Sequence, residues 1–346
     1  LRNFTIALDA MGGDFGPHIS LPASYKSLQL HPNLFIIIVG DEQQINPLLK
    51  KYHLLDHARV KLVHAPETIS MEDDPVSVLR HRSPSSMLMA LQLVADGEAD
   101  ACVSAGNTGA LMLLSKHILK TLEGISRPAL VSALPNNRGG HSYMMDLGAN
   151  LQCGCDTLFN FALMGSVLCE KVEQVSSPSI SLLNVGRESN KGSDEIKHCA
   201  SLLNETKYIN YIGFIEANEL FDSPADVVVT DGFSGNIALK SYEGMGRVFI
   251  AQLKKAMDAT WYSRLLGKLL NPLIKNQLKH LHPDLYNGAS LIGLRGIVVK
   301  SHGSANVEAF TCAIEQAIKE IQWQIPTSIS ERLASVLAER DCLLHE

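Results

Sequence analysis

Short, wholly apolar runs alternate along this chain with longer stretches in which apolar residues recur every three or four positions. Phe35-Ile-Ile-Ile-Val39 is apolar at every position, the mark of a strand covered on both faces. Runs of this kind predict strands at 5–8, 34–39, 60–63, 101–104, 129–134, 143–147, 180–185, 211–214, 227–230 and 297–300. Between most of them the period lengthens to that of a helix, at 21–28, 45–51, 85–95, 111–122, 157–172, 194–203, 237–257, 307–322 and 330–339. Alternation of this sort belongs to an α/β fold, a doubly wound, mostly parallel sheet covered by helices on both faces. In such folds ligands sit beyond the carboxyl ends of strands.

Two strand ends share a grammar. Ser104-Ala-Gly-Asn-Thr-Gly-Ala-Leu-Met112 and Val227-Val-Val-Thr-Asp-Gly-Phe-Ser-Gly-Asn-Ile-Ala-Leu239 each run from strand through glycines and a hydroxyl residue into a helix. Aligned on their glycines, Gly106 matches Gly232, Thr108 matches Ser234, Gly109 matches Gly235 and Ala110 matches Asn236. A helix start offers unpaired N–H groups and the positive end of a dipole, so each junction is a candidate anion site. The pair predicts two faces of one cleft. Asp9-Ala-Met-Gly-Gly-Asp14, Asp146-Leu-Gly-Ala-Asn150 and Gly186-Arg-Glu-Ser-Asn-Lys-Gly192 are likewise expected beyond the carboxyl ends of strands.

Composition narrows the class. With 346 residues, 46% hydrophobic and 19% charged, the chain can bury a large core as one unit over 1–346, or as two subdomains about one cleft. A net charge of −6 gives no global reason to expect nucleic acid. The first residues enter a strand directly and no stretch is apolar for long enough to span a bilayer, so a cytoplasmic protein is expected. Its seven cysteines are expected to stay free. G-x-G-x-x-G and G-x-x-x-x-G-K-[ST] are both missing, which removes the usual signatures of nicotinamide and nucleoside triphosphate binding. Cys153-Gly-Cys155 lacks a second ligand pair, His53 and His57 form only a loose pair, and Ser234 is not in a nucleophile elbow. No metal site is expected, and Cys102, inside an apolar strand, reads as a packed thiol.

Six motifs in order then carry a resemblance: 8–17 (Leu-Asp-Ala-Met-Gly-Gly-Asp-Phe-Gly-Pro), 103–112, 146–150, Gly186-x-Glu-x-x-Lys-Gly192, Thr230-Asp-Gly-Phe-Ser-Gly-Asn236 and Lys300-Ser-His-Gly303. Together with Arg127-Pro-Ala-Leu130 and Tyr286-Asn-Gly-Ala289 they resemble the PlsX family, the bacterial phosphate acyltransferases of phospholipid synthesis. The resemblance implies transfer of an acyl group from acyl-[acyl carrier protein] to inorganic phosphate. It also implies a homodimer, no cofactor, and a fold like those of phosphate acetyltransferases and isopropylmalate dehydrogenases. Two rivals stay open: an oxidoreductase of the dehydrogenase type, and a non-catalytic scaffold that binds the carrier protein.

Phosphate is already nucleophilic near neutral pH, so such a reaction asks for positioning and oxyanion stabilisation rather than an acyl-enzyme. Lys191 and Asn236 are the catalytic candidates by type, to polarise the carbonyl or neutralise developing charge. Substrate-binding candidates are Asp9, Gly12, Gly13, Asp14, Asn107, Thr108, Gly109, Asp231, Ser234 and Gly235, the carboxylates among them as orienters of neighbouring donors. Arg80 and Arg82 are candidates for the phosphopantetheine phosphate or the acidic carrier protein.

One further stretch stands apart. Over 259–282 Trp261, Tyr262, Leu265, Leu266, Leu269, Leu270, Leu273 and Ile274 form an apolar stripe beside Arg264, Lys268, Lys275 and Lys279, with no acidic residue between Asp258 and Asp284. The pattern predicts a helical arm over 245–282 that projects from the body. It is suited either to an anionic membrane surface, through Leu265, Leu266, Leu269 and Leu270, or to a dimer partner. The resemblance favours peripheral membrane association, since its product would feed a membrane acyltransferase.

Overall fold

The computed structural model describes residues 2–81, 83–137, 139–222, 225–265, 267, 270, 273 and 283–344. Arg82, Leu266 and Leu269, named above as candidates, lie outside the described residues, as do Lys268, Ile274, Lys275 and Lys279.

The chain alternates as its periodicity predicts: β1 (Phe4–Asp9), α1 (Pro17–Leu30), β2 (Leu34–Gly40), α2 (Glu42–Lys51), β3 (Val60–His64), α3 (Pro75–His81), α4 (Ser86–Ala95), β4 (Ala101–Ser104) and α5 (Thr108–Leu119). It continues through β5 (Ala129–Pro135), β6 (His141–Met145), α6 (Cys155–Glu173), β7 (Ser179–Leu183), α7 (Asp194–Glu205), β8 (Asn210–Ile215), β9 (Val227–Val229) and α8 (Gly232–Asp258). β10 (Ala289–Ile292), β11 (Ile297–Lys300), α9 (Val307–Gln322) and α10 (Ile325–Leu344) follow. Several helices begin a turn before their apolar periodicity does. Asp41, Asn107 and Asp231 cap the first turns of α2, α5 and α8 with side-chain oxygens, so polar residues start the helix before it meets the core.

All strands join one sheet in the order β3-β2-β1-β4-β11-β10-β5-β6-β9-β7-β8. The sheet is mostly parallel, but β10 is antiparallel to both neighbours and β5 and β6 form a hairpin. Direction therefore reverses across the middle. Leu8, Val103, Val299, Ser290, Val131, Met145, Val229 and Leu182 share one row of the ladder. From that row β1, β4 and β11 run out at one edge and β6, β9 and β7 at the other. Every motif falls at the carboxyl end of a strand, as expected, and because of the reversal 9–14, 104–109 and 300–303 share one edge, while 146–150, 184–192 and 230–236 share the other.

Helices cover both faces of each half. In the first half one core packs α1, α2 and α9 on the sheet, through Leu21, Ile45 and Phe310, and a second packs α4 and α5 through Met87 and Leu114. In the second half α6, α7 and α10 bury Phe161, Leu203 and Ile329, and the start of α8 covers the opposite face with Ala238 and Leu239. Leu130 packs into the cores beneath both α5 and α8, so these two helices lie on one face of the sheet.

Candidate active site

At the first edge three loops lock together. Asp9 ends β1 with 1% exposure and accepts bonds from the hydroxyls of Ser86 and Ser104, each at 2.6 Å. Burial raises its pKa, and the two hydroxyls with the amides of Met11 and Gly12 hold it back. A carboxylate so enclosed orients the 9–14 turn and has no open path to a ligand. Glycine is required where this turn meets the next, since a Cβ on Gly12 would stand 2.6 Å from the Gly106 amide nitrogen. The Asp14 amide donates to the Gly303 carbonyl at 2.9 Å, which brings in the third loop, and the Asp14 side chain is exposed. Beneath them Lys300 donates to the carbonyls of Ala105 and Ser301. Burial brings its ammonium down to about 8, against the attraction of Asp9 and Asp14.

Asn107 serves this junction as structure. Its Oδ1 accepts from the Ala110 amide at 3.1 Å and its Nδ2 donates to the carbonyls of Ser70, Met71 and Asp73. What α5 leaves open is its first two amides, those of Thr108, which is exposed, and Gly109, against which Pro75 of α3 is packed.

At the second edge Asp146 is fully buried and accepts from the amides of Leu130, Gly148, Ala149 and Asn150 and from Asn150 Nδ2. Burial raises its pKa while these bonds oppose the shift. The turn it holds is the seat of α8: the Gly232 amide donates to the Asn150 carbonyl at 2.7 Å, and a Cβ on Gly235 would lie 1.9 Å from the Asp146 carbonyl oxygen. Asp231 caps the helix by accepting from the Ser234 amide at 2.8 Å and from its hydroxyl at 3.3 Å. The glycine alignment of the two junctions is thereby corrected. By helix start Asn107 corresponds to Asp231, two residues from the match that the glycines suggested, because each accepts the amide three residues on in the first turn of its helix.

α5 and α8 start at opposite edges on one face of the sheet, and a cleft of about 1050 Å³ lies between them. Met112, Leu113 and Lys116 line it from α5, Asp231 and Phe233 from the start of α8, and 149–152 with Arg127 and Pro128 close its end. Phe233, Asn236, Ile237 and Lys240 recur at helical spacing and all are exposed, so Asn236 stands one turn from Phe233 on a single stripe of α8. Farther up that stripe, Lys240 acts electrostatically on Lys300 and His302 at the first edge. Lys191 is exposed on the turn after β7, whose shape Asn184 fixes by donating to the Lys191 carbonyl at 3.2 Å. Arg80 is exposed in the last turn of α3.

Sequence reasoning quoted the stretches around Lys300, Asp146, Arg127, Ser86 and Ser104 without choosing these residues, and passed over Lys116. Lys300 carried a readable signal, a lysine closing an otherwise apolar strand. Cys102 is buried in β4 and burial pushes its thiol up, in keeping with packing.

The phosphotransacetylase from Streptococcus pyogenes aligns with a TM-score of 0.60 at 18% identity, over 92% of this chain and 94% of that one. A branched-chain phosphotransacylase from Enterococcus faecalis aligns with a TM-score of 0.58 at 15% identity, over 92% and 99%. The fold is thus of the phosphotransacetylase type. A family model described as fatty acid synthesis protein matches residues 4–328. A phosphate acyltransferase of Psychromonas ingrahamii is 69% identical over 346 residues, 100% of each chain, and one of Shewanella pealeana is 51% identical over 339 residues, 98% of this chain and 99% of that one. The chain belongs to this family, the PlsX family of phosphate acyltransferases.

Proposed function

We propose that this enzyme is an acyltransferase that moves the acyl group of acyl-[acyl carrier protein] onto inorganic phosphate, giving acyl phosphate for phospholipid synthesis. A phosphate oxygen attacks the thioester carbonyl, the tetrahedral oxyanion collapses, and the carrier leaves as a thiolate that takes up a proton. A thiolate leaves readily, with a pKa of about 8.5, so the site must chiefly position and stabilise charge. The observation that carries the reading is the cleft between α5 and α8, lined by Asp231 and Phe233 at the start of α8, with the open amides of Thr108 and Gly109 and the exposed Asn236 on the same two helices. The full-length kinship to phosphate acyltransferases agrees with it. Asn236 and Lys191 polarise the carbonyl or neutralise the developing charge, and Arg80 meets the carrier protein.

The enzyme acts as a cytoplasmic homodimer that touches anionic membrane. Support comes from α8, where no residue beyond Leu239 is buried, and from Met245, Phe249, Trp261, Tyr262, Leu265, Leu270 and Leu273, all exposed. Among the described residues no helix is long and apolar enough to cross a membrane. The deciding experiment incubates acyl carrier protein thioester with phosphate and traps acyl phosphate as the hydroxamate. Donor consumed with hydroxamate formed supports the reading; carrier protein bound but unconsumed would leave the scaffold.

A further inference from the structure

The cleft holds two cations that nothing above employs. Lys116 lies on the α5 line Thr108, Met112, Lys116, and its Nζ donates to the Ser126 carbonyl at 3.1 Å. Arg127 faces the same space from the segment entering β5, and its Nη1 donates to the Gln152 carbonyl at 3.3 Å. Among the described residues neither has a carboxylate within ion-pair distance. Asp231, the acid that lines the cleft with them, is already engaged by the amide and hydroxyl of Ser234. The two cations are therefore tethered to the wall by carbonyl oxygens, with charge and further N–H donors left over.

The rest of the cleft explains what they would hold. Met112, Leu113, Pro128, Leu151 and Phe233 make its surface largely apolar, and its volume far exceeds that of a phosphate ion. Lys116 stands about 12 Å along α5 from Thr108. Lys116 and Arg127 thus set anion-attracting charge beside an apolar slot, and the open amides of α5 lie at the far end of the helix that carries Lys116.

We infer that Lys116 and Arg127 anchor the phosphodiester of the donor's phosphopantetheine arm, leaving the arm to run through the apolar slot toward Asn236 and the start of α5. This rests on the acyl carrier reading above and adds to it a place and direction for the arm. The acceptor phosphate then belongs at the opposite end.

Titration calorimetry with free phosphopantetheine and with pantetheine, which lacks only the phosphate, tests the anchor without turnover. Wild type should bind phosphopantetheine at least about tenfold more tightly, and Lys116→Gln with Arg127→Gln should abolish that preference while pantetheine binds as before. Lys116→Arg should restore most of it. In the acyl transfer assay the double variant should raise the donor KM and leave the KM for inorganic phosphate unchanged. No preference in wild type, or a preference that survives both substitutions, overturns the anchor. A raised KM for inorganic phosphate reassigns the cations to the acceptor and overturns it equally. Wild type that binds with the stated preference but forms no acyl phosphate removes the proposed reaction and leaves the anion site standing.

Discussion

Replacing Lys300 by methionine tests whether a buried ammonium holds the first edge of the site together. The side chain is 7% exposed and donates to the carbonyls of Ala105 and Ser301. Burial brings its pKa from 10.5 down to about 8, so keeping the proton at neutral pH costs the fold about 3 kcal/mol. Methionine removes that cost but leaves two carbonyls unpaired, at about 1–3 kcal/mol each, and the two effects nearly cancel near pH 7. The discriminating signal is therefore the pH dependence. Between pH 8 and 10.5 the unfolded lysine keeps its proton while the folded one releases it, so the unfolded state binds more protons and wild-type stability rises with pH. Urea unfolding from about pH 7 to about pH 10 should show wild type gaining about 2.5 kcal/mol over Lys300→Met, with the titration of other groups cancelling in the difference. A difference that stays flat across this range would refute the reasoning.

Four further outcomes are expected. Lys191→Ala and Asn236→Ala should each lower turnover about a hundredfold with unchanged melting, and near wild-type turnover in both would void the catalytic assignment. Gly235→Ala sets a Cβ 1.9 Å from the Asp146 carbonyl oxygen, a backbone atom that cannot swing aside, and should lower stability by about 3 kcal/mol or more in urea unfolding. Glu173 is held down to about 2 by hydrogen bonds from His141 and then Tyr143, so its stabilisation is present above pH 4.5 and lost as pH falls toward 2. Glu173→Gln should accordingly be less stable than wild type at about pH 6, by no more than about 3 kcal/mol, with the gap narrowing at about pH 3. Wild type should float with anionic vesicles at low salt, and Leu265→Glu with Leu270→Glu should abolish flotation; flotation that persists places the contact elsewhere.

Much of this molecule is set locally and so is written along the chain. Apolar runs such as 35–39 can be stable only as strands covered on both faces, and Asp231, Asn107 and Ser85 cap helices through amides three residues away. The strands, most helices, the α/β class and the glycine turns were legible for that reason. The short helix α3 escaped because it buries no residue and so shows no apolar stripe. β10 escaped because its four residues become a strand only by pairing antiparallel with β11 and β5, partners brought together by the fold. That one insertion, with the β5–β6 hairpin, reverses the sheet. It puts the two junctions at opposite edges of the sheet, on one face. Partners remote in sequence likewise made Asp9, enclosed by Ser86 and Ser104, a support rather than a ligand. The same distance hid Lys116, Arg127 and Lys300, whose charge acquires meaning only from what tertiary packing places beside it or leaves out.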